Sequence, residues 1–392
     1  MRFLALLAIC AGLVRAETDL VVPFFNHSKN TNVDWIGESI AESVGDTLAS
    51  QGLLVLGRDE RLEAYRRLSL RPGAELTHAS ILKIGVTLDA AKVVYGYYEL
   101  VPPASGTTQT KGSLRIVARV IDVKQSRQGG EFSEIGAVED LGTLQNHLGW
   151  QVLAALSPRT APGESAFMSA RPAVRLDAVE SYVRGLLAAT PEQRHRYFTQ
   201  AARLDEHYSQ PCFQLGKSAW DQKDYRVAAG WLDRVALTDP HYLEAQFFFA
   251  LCKYLTGDFA AAEKSFQTVA DSIPLNEAFN DLGVAQAQRG DFTAAAVSFR
   301  KALEGDDADP DYHFNLGTAL WRGGRYNEAA ESFRDVLARK SDDQEATVML
   351  GRALKQQAPR PGETRQDGKL RLKTNYEESA YRQLQAEIGA KK

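Results

Sequence analysis

Apolar positions in the second half of the chain recur on a fixed frame. Leu282, Gly283, Gly290, Phe292, Ala295 and Phe299 return 34 residues later as Leu316, Gly317, Gly324, Tyr326, Ala329 and Phe333. The frame runs back through Gly257, Phe259, Ala262 and Phe266, and then to Leu215, Gly216, Tyr225, Ala228 and Leu232. A period of this length predicts stacked helix-turn-helix units, none able to bury its apolar face without a neighbour. Units begin near Ser209, Leu243, Asn276 and Pro310. A degenerate unit precedes them, where Leu204-Asp205-Glu206-His207-Tyr208 anticipates Thr238-Asp239-Pro240-His241-Tyr242, and a half unit follows at Leu350-Gly351. The predicted all-α solenoid spans residues 175–357. Gly283, Gly317, Ala295 and Ala329 let paired helices approach, while Phe266, Phe299 and Phe333 fill the space between units.

Residues 17–157 have no repeat. Strand-like runs alternate with helical ones: Leu20-Val21-Val22, then Ile36, Ile40, Val44 and Leu48 at four-residue spacing behind an Asp34 cap, then Leu53-Leu54-Val55-Leu56. A short helix opens at Asp59 through Leu62, Tyr65 and Leu68. Thr77 caps another with Ile81, Ile84 and Leu88 on one face. Val93-Val94-Tyr95 and residues 114–123 form a strand pair across the loop 102–112, and a last strand lies near 132–138. A closing helix carries Leu141, Leu144, Leu148, Val152 and Ala155. This order predicts an α/β domain, a mixed sheet covered by helices. Residues 158–174, with Pro158, Pro162, Gly163 and Pro172, read as a linker.

The repeat frame resembles the tetratricopeptide repeat. In the first domain, the order of VVPFFN, LLVLGRDE, KVVYGYYEL and LRIVARVIDV with intervening helices resembles the amino-terminal domain of TolB-type periplasmic proteins. That resemblance implies a docking or assembly module. The chain departs from it in its longer 102–112 loop and in having no β-propeller. The repeat resemblance implies a concave groove lined by the first helix of each unit. Carried over unit by unit, it assigns the groove to Phe213, Lys217 and Trp220; to Phe247, Leu251 and Tyr254; to Asn280 and Val284; and to Phe314, Trp321 and Arg322. The stripe is unusually aromatic for a solvated face, and an exposed apolar patch usually meets a partner. The same side chains could instead pack on the first domain or the C-terminal segment. The family's Lys/Asn clamp for chaperone C-termini is not matched.

The ends add two expectations. Arg2, the apolar run 3–14 and Val14-Arg15-Ala16 form a secretory signal peptide over residues 1–16. The rival, a lipoprotein acylated at Cys10, has Ile9 where the lipobox takes a small residue. After Gln357, residues 358–374 read as a flexible loop. From Lys355 onward nine Lys/Arg face five Asp/Glu, so this end is basic by four. Asn375 and Glu378 match a capping box ahead of Ala380, Leu384 and Ile388, predicting a helix over 375–392 that covers the open end of the solenoid at Val348, Leu350 and Leu354. The basic run 369–373 has a competing use as a tether to an anionic surface.

Catalytic chemistry is hard to assemble. A net charge of −4 gives no electrostatic footprint for nucleic acid. Gly216-Lys217-Ser218 lacks the upstream glycine of a phosphate loop and lies inside a repeat helix. The histidines show no metal spacing, and no hydrolase or dinucleotide motif occurs. Asp306-Asp307 and Asp342-Asp343 fall in turns and are expected to be solvated. Cys212 and Cys252 are offset by about six positions in adjacent repeats, roughly 9 Å along parallel helices, so two buried free thiols are expected. The sequence therefore points to an exported adaptor that binds a protein or peptide, without enzymatic activity, cofactor, metal, nucleic acid or transmembrane segment. The alternative is a structural subunit of a bacterial envelope secretion or curli-type export assembly.

Overall fold

The computed structural model describes residues 17–102, 113–171, 173–359 and 368–389. The expected leader at 1–16 and the loop from 103 to 112 lie outside the described residues. The first domain runs β1 (Thr18–Val21), β2 (Phe25–Asn26), α1 (Trp35–Ser50), β3 (Leu54–Leu56), α2 (Arg58–Arg67), α3 (His78–Thr87), β4 (Lys92–Val101), β5 (Ser113–Asp122), β6 (Arg127–Ala137) and α4 (Leu141–Leu156). Its strands are ordered β3-β1-β4-β5-β6, with β2 pairing on β4. β1 is parallel to β3 and β4, whereas β4, β5 and β6 are antiparallel, so the sheet is mixed.

Side chains alternate across this sheet, and adjacent valines serve opposite cores. Val94, Tyr98, Ile116 and Ala118 face Ile36, Ile40, Val44 and Leu48 of α1 and Leu144, Leu148 and Val152 of α4. Val93, Leu20 and Ile121 face Ala64 and Tyr65 of α2 and Ile81 and Ile84 of α3. Thr77 caps α3 by accepting from Ser80 N at 3.2 Å. Asp34 occupies the cap position of α1 but makes no capping bond. Its carboxylate instead accepts from Asn26 Nδ2 at 2.6 Å, fixing the strand-to-helix corner. Arg115 and Arg119, on one face of the β4–β5 hairpin, pair with Glu99 and Glu131 within the sheet.

The expected linker is not free. It holds α5 (Glu164–Ala170), whose Phe167 is buried. Trp150 Nε1 donates to Pro162 O at 3.0 Å, and Arg171 donates to Thr47 Oγ1 at 2.9 Å with its guanidinium over the Phe167 ring. Residues 158–171 are therefore clamped to α1 and α4.

The helical array follows: α6 (Leu176–Leu187), α7 (Pro191–Leu204), α8 (Gln210–Asp221), α9 (Tyr225–Leu232), α10 (Tyr242–Leu255), α11 (Phe259–Ser272), α12 (Asn276–Gln288), α13 (Phe292–Gly305), α14 (Pro310–Arg322), α15 (Tyr326–Arg339) and α16 (Gln344–Leu354). The repeated Gly-Asp pair explains the turns. Gly257 and Gly290 sit at φ +90° and +85°, where an L side chain is strained, and Asp258 and Asp291 cap the next helix from its third residue. A Cβ on Gly283 would stand 2.7 Å from the Phe299 ring, and one on Gly317 would stand 2.9 Å from Phe333. Glycine at these positions is thus a packing requirement. Cys212 and Cys252 are buried free thiols.

One apolar core continues from α1 and α4 through the first three repeats. At that junction Gln210 donates to Asp46, and His241 sits on Asp239 at 3.3 Å with Phe213 stacked on its ring. Burial pushes the Asp46 carboxyl up to about 7. Burial pulls the His241 imidazolium down, but the bond to Asp239 and the charge of Asp46 outweigh it and raise His241 to about 9.

The last helix, α17 (Glu378–Gly389), lies elsewhere than expected. It packs beside β3, with Arg382 paired to Glu60, while Val348 and Leu354 at the end of the solenoid stay about half exposed at 50% and 57%. It does not cap the array. Nor does Asn375 cap the helix, which begins three residues later at Glu378.

Candidate protein-binding groove

The first helices of the units, α10, α12, α14 and α16, face a segment of the same chain. Residues 368–377 cross this groove from the last repeat back toward the first domain. Gly368 starts the crossing at φ +70°, against Met349 and Thr318. Its N–H and that of Lys369 donate to Glu345 Oε1 at 3.0 and 3.1 Å, and its carbonyl accepts from Arg322 at 3.0 Å.

Arg371 is held on every side. Its N–H donates to Asn315 Oδ1 at 2.7 Å, and its carbonyl accepts from Asn315 and Asn280 Nδ2 at 2.8 and 3.0 Å. Its guanidinium lies 3.8 Å over the Phe314 ring and donates to Asp311 and Asp343, each at 3.0 Å. Charge-assisted bonds in such a partly dry site are about twice as strong as neutral ones. A desolvated cation over an aromatic face adds roughly 0.5–2 kcal/mol. Lys373 follows, its N–H on Asp281 Oδ1 at 2.9 Å and its ammonium between Asp309 and Asp311 at 2.8 and 2.7 Å. Burial alone would raise the Asp311 carboxyl, yet Lys373 and Arg371 hold it below the ordinary aspartate range. Leu370, just before Arg371, is buried in the core of the last repeats, and Tyr376 meets Phe247 edge-on at 5.2 Å. Asp281 is fully buried, which pushes its carboxyl well up.

The residues assigned to the groove divide into two groups. Phe247, Asn280, Phe314 and Arg322 meet the C-terminal segment directly, and Trp321 Nε1 donates to Gln357 O at 2.7 Å. The others do not form an open stripe. Phe213 belongs to the junction with the first domain. Leu251 and Val284 are fully buried in the helix packing. Trp220 packs on Phe248 and Tyr225, and Lys217 lies 3.5 Å over the Phe248 ring. Tyr254 accepts from Gln288 at 3.1 Å. The expectation of solvent-exposed aromatics is corrected in favour of packing on the C-terminal segment and neighbouring helices. Residues 368–373 of the expected flexible loop are seated. Arg371 and Lys373 are spent on carboxylates, and Asp343, expected to be solvated, is only 5% exposed beneath Arg371.

Sequence reasoning missed the acids, although a signal was present. Glu244, Glu277, Asp311 and Glu345 stand at one repeat position, 33, 34 and 34 residues apart. Lys369-Leu370-Arg371-Leu372-Lys373 alternates with the two-residue period of an extended chain. Among the described residues, no group of three His, Cys, Asp or Glu side chains could hold a metal ion, and no helix is long and apolar enough to cross a membrane.

No curated protein matches the chain. Among solved structures, a MamA double mutant is 24% identical over 41% of this chain and 92% of its own, with a TM-score of 0.37. MamA from Desulfovibrio magneticus RS-1 is 23% identical over 44% and 99%, with a TM-score of 0.38. YrrB, described as a TPR protein with an unusual peptide-binding site, is 17% identical over 41% and 92%, with a TM-score of 0.33. Family models of the tetratricopeptide repeat match residues 213–277, 256–313 and 286–346. Residues 213–346, within the helical array, are thus matched by models of the tetratricopeptide repeat.

Proposed function

We propose that the chain is a non-enzymatic scaffold whose concave groove binds an extended segment of a partner protein. One observation carries this reading: the N–H and carbonyl of Arg371 are both bonded by asparagines of two successive repeats. Side chains aimed at a main chain hold any extended segment in register, and neighbouring pockets then select its side chains. The test uses full-length protein with a protease site between residues 360 and 367. Once cut, it should take up a fluorescein-labelled peptide of residues 368–380 with a saturable rise in anisotropy. No uptake by the cut protein overturns the reading.

The proposal includes export, with the α/β domain as the docking or assembly module that its TolB-type resemblance implies. The support is the Val14-Arg15-Ala16 site behind the apolar run. Intact mass of the protein recovered from its native envelope should correspond to a chain starting at Glu17. A diacylated Cys10 terminus would replace export as a free protein with membrane anchoring.

A further inference from the structure

We infer that the groove is built for a partner segment in which basic residues alternate with leucine-like ones, and that residues 368–377 are its internal competitor. The inference rests on the peptide-binding reading above and adds the partner's chemistry and the regulation of access.

The acidic ladder supplies the first argument. Stacking of repeats demands small and aromatic residues, not carboxylates, and Glu244, Asp311 and Glu345 keep side-chain exposures of 22%, 33% and 36%. Each rung nonetheless meets the tail. Glu345 takes two backbone N–H groups and lies 3.7 Å from Arg371; Asp311 takes both Arg371 and Lys373. Glu277 accepts from Glu377 N at 3.0 Å, and burial, helped by the charge of Glu244 beside it, raises the Tyr376 phenol. Two of these rungs, Asp311 and Glu345, meet the bases Arg371 and Lys373, and such charge complementarity fixes orientation and register.

The second argument is that the tail fits imperfectly. One carboxylate oxygen of the fully buried Asp281, Oδ2, has no hydrogen-bond partner. A buried polar oxygen left without a partner weakens the fit. The tail also carries Glu377 where the groove presents Glu277, so like charges share this end, while the neighbouring Glu378 is paired with Arg382. A segment with a base or a neutral donor there would bind better than the chain's own. The tail links the solenoid to α17, which is docked beside β3, so it can lift from the groove only as a loop held at both ends. A short tether gives it an effective concentration on the order of millimolar, enough to exclude a weak ligand and yield to a better one.

The experiment measures uptake of the labelled 368–380 peptide by full-length, uncut protein. The wild type should bind weakly. Arg371→Glu with Lys373→Glu, which sets the internal tail against the ladder, should raise the apparent affinity at least tenfold. Cutting the wild-type chain between 360 and 367 should do the same, and decides the matter if the double variant fails to fold. A peptide with Glu377→Lys and Glu378→Lys should bind at least threefold tighter than the natural sequence, and one with serine for Arg371 and Lys373 at least tenfold more weakly. Equal binding by uncut, cut and variant proteins would show that the tail does not compete, leaving peptide binding intact. Equal binding of the serine peptide would overturn the partner class. A dimer in solution that is lost on cutting would assign the groove to a second copy of this chain and likewise overturn the proposal. Failure of the cut protein to bind any of these peptides would instead defeat the proposed function itself.

Discussion

Trp321→Ala should destabilise the protein by roughly 3–5 kcal/mol, the range for truncating a buried aromatic side chain. The indole is 2% exposed near the C-terminal end of α14, in the core shared by the third and fourth repeats. Its Nε1 also donates to Gln357 O at 2.7 Å, joining α14 to the chain leaving α16. Alanine therefore opens a cavity and leaves a carbonyl without its donor. Trp321→Phe keeps most of the ring and loses the bond, so it should cost less, about 1–3 kcal/mol for smaller volume and an unmade bond together. Urea unfolding followed by circular dichroism distinguishes them. A loss under 1 kcal/mol for Trp321→Ala would mean that the indole is freely exposed in solution. That would restore the open aromatic stripe that the sequence suggested.

Where sequence reading succeeded, short-range rules acted alone. The repeated glycines and the small-residue contacts at Gly283 and Gly317 follow from a frame that any one repeat shows, whereas the Asp258 and Asp291 caps beside those glycines emerged only from the structure. The two-faced strands do the same in the first domain, where Val93 and Val94 serve different cores. Reading failed where partners are distant in sequence. Asn280 and Arg371 are bonded across 91 positions, and Arg382 and Glu60 across 322. No local pattern at Asp343 distinguishes a solvated turn acid from one buried under a guanidinium. The tail helix was legible as amphipathic from Ala380, Leu384 and Ile388. Its destination was not, because an apolar stripe fits the end of a solenoid and the flank of an α/β domain equally well. Charge pattern was the unused clue: Glu277, Asp311 and Glu345 of the ladder at 33–34 residues bond the tail, although Glu244 also pairs with Lys217 of the preceding repeat.

The last expected result separates a seated tail from a merely adjacent one. Asn315 is fully buried and donates to Asn280 Oδ1 at 2.8 Å as well as bonding Arg371 twice. Asn315→Ala strips three hydrogen bonds and leaves the Arg371 N–H and Asn280 Oδ1 in a dry groove without those partners. Each orphaned buried group costs about 1–3 kcal/mol, so a loss of roughly 2–4 kcal/mol follows. Thr318→Val, one turn along the same helix, is the control. Its hydroxyl is buried with no hydrogen-bond partner, so valine should be neutral or mildly stabilising. Hydrogen exchange supplies the local readout. If the asparagine holds the tail, the amides of Gly368, Lys369, Arg371 and Lys373 should exchange at least tenfold faster in Asn315→Ala, while those in the middle of α12 keep their protection. If protection falls along α12 and α14 and the tail amides keep pace with them, the asparagine pair serves chiefly to join the two repeats. Faster exchange confined to the tail would show that one side chain on α14 sets how firmly the groove is closed.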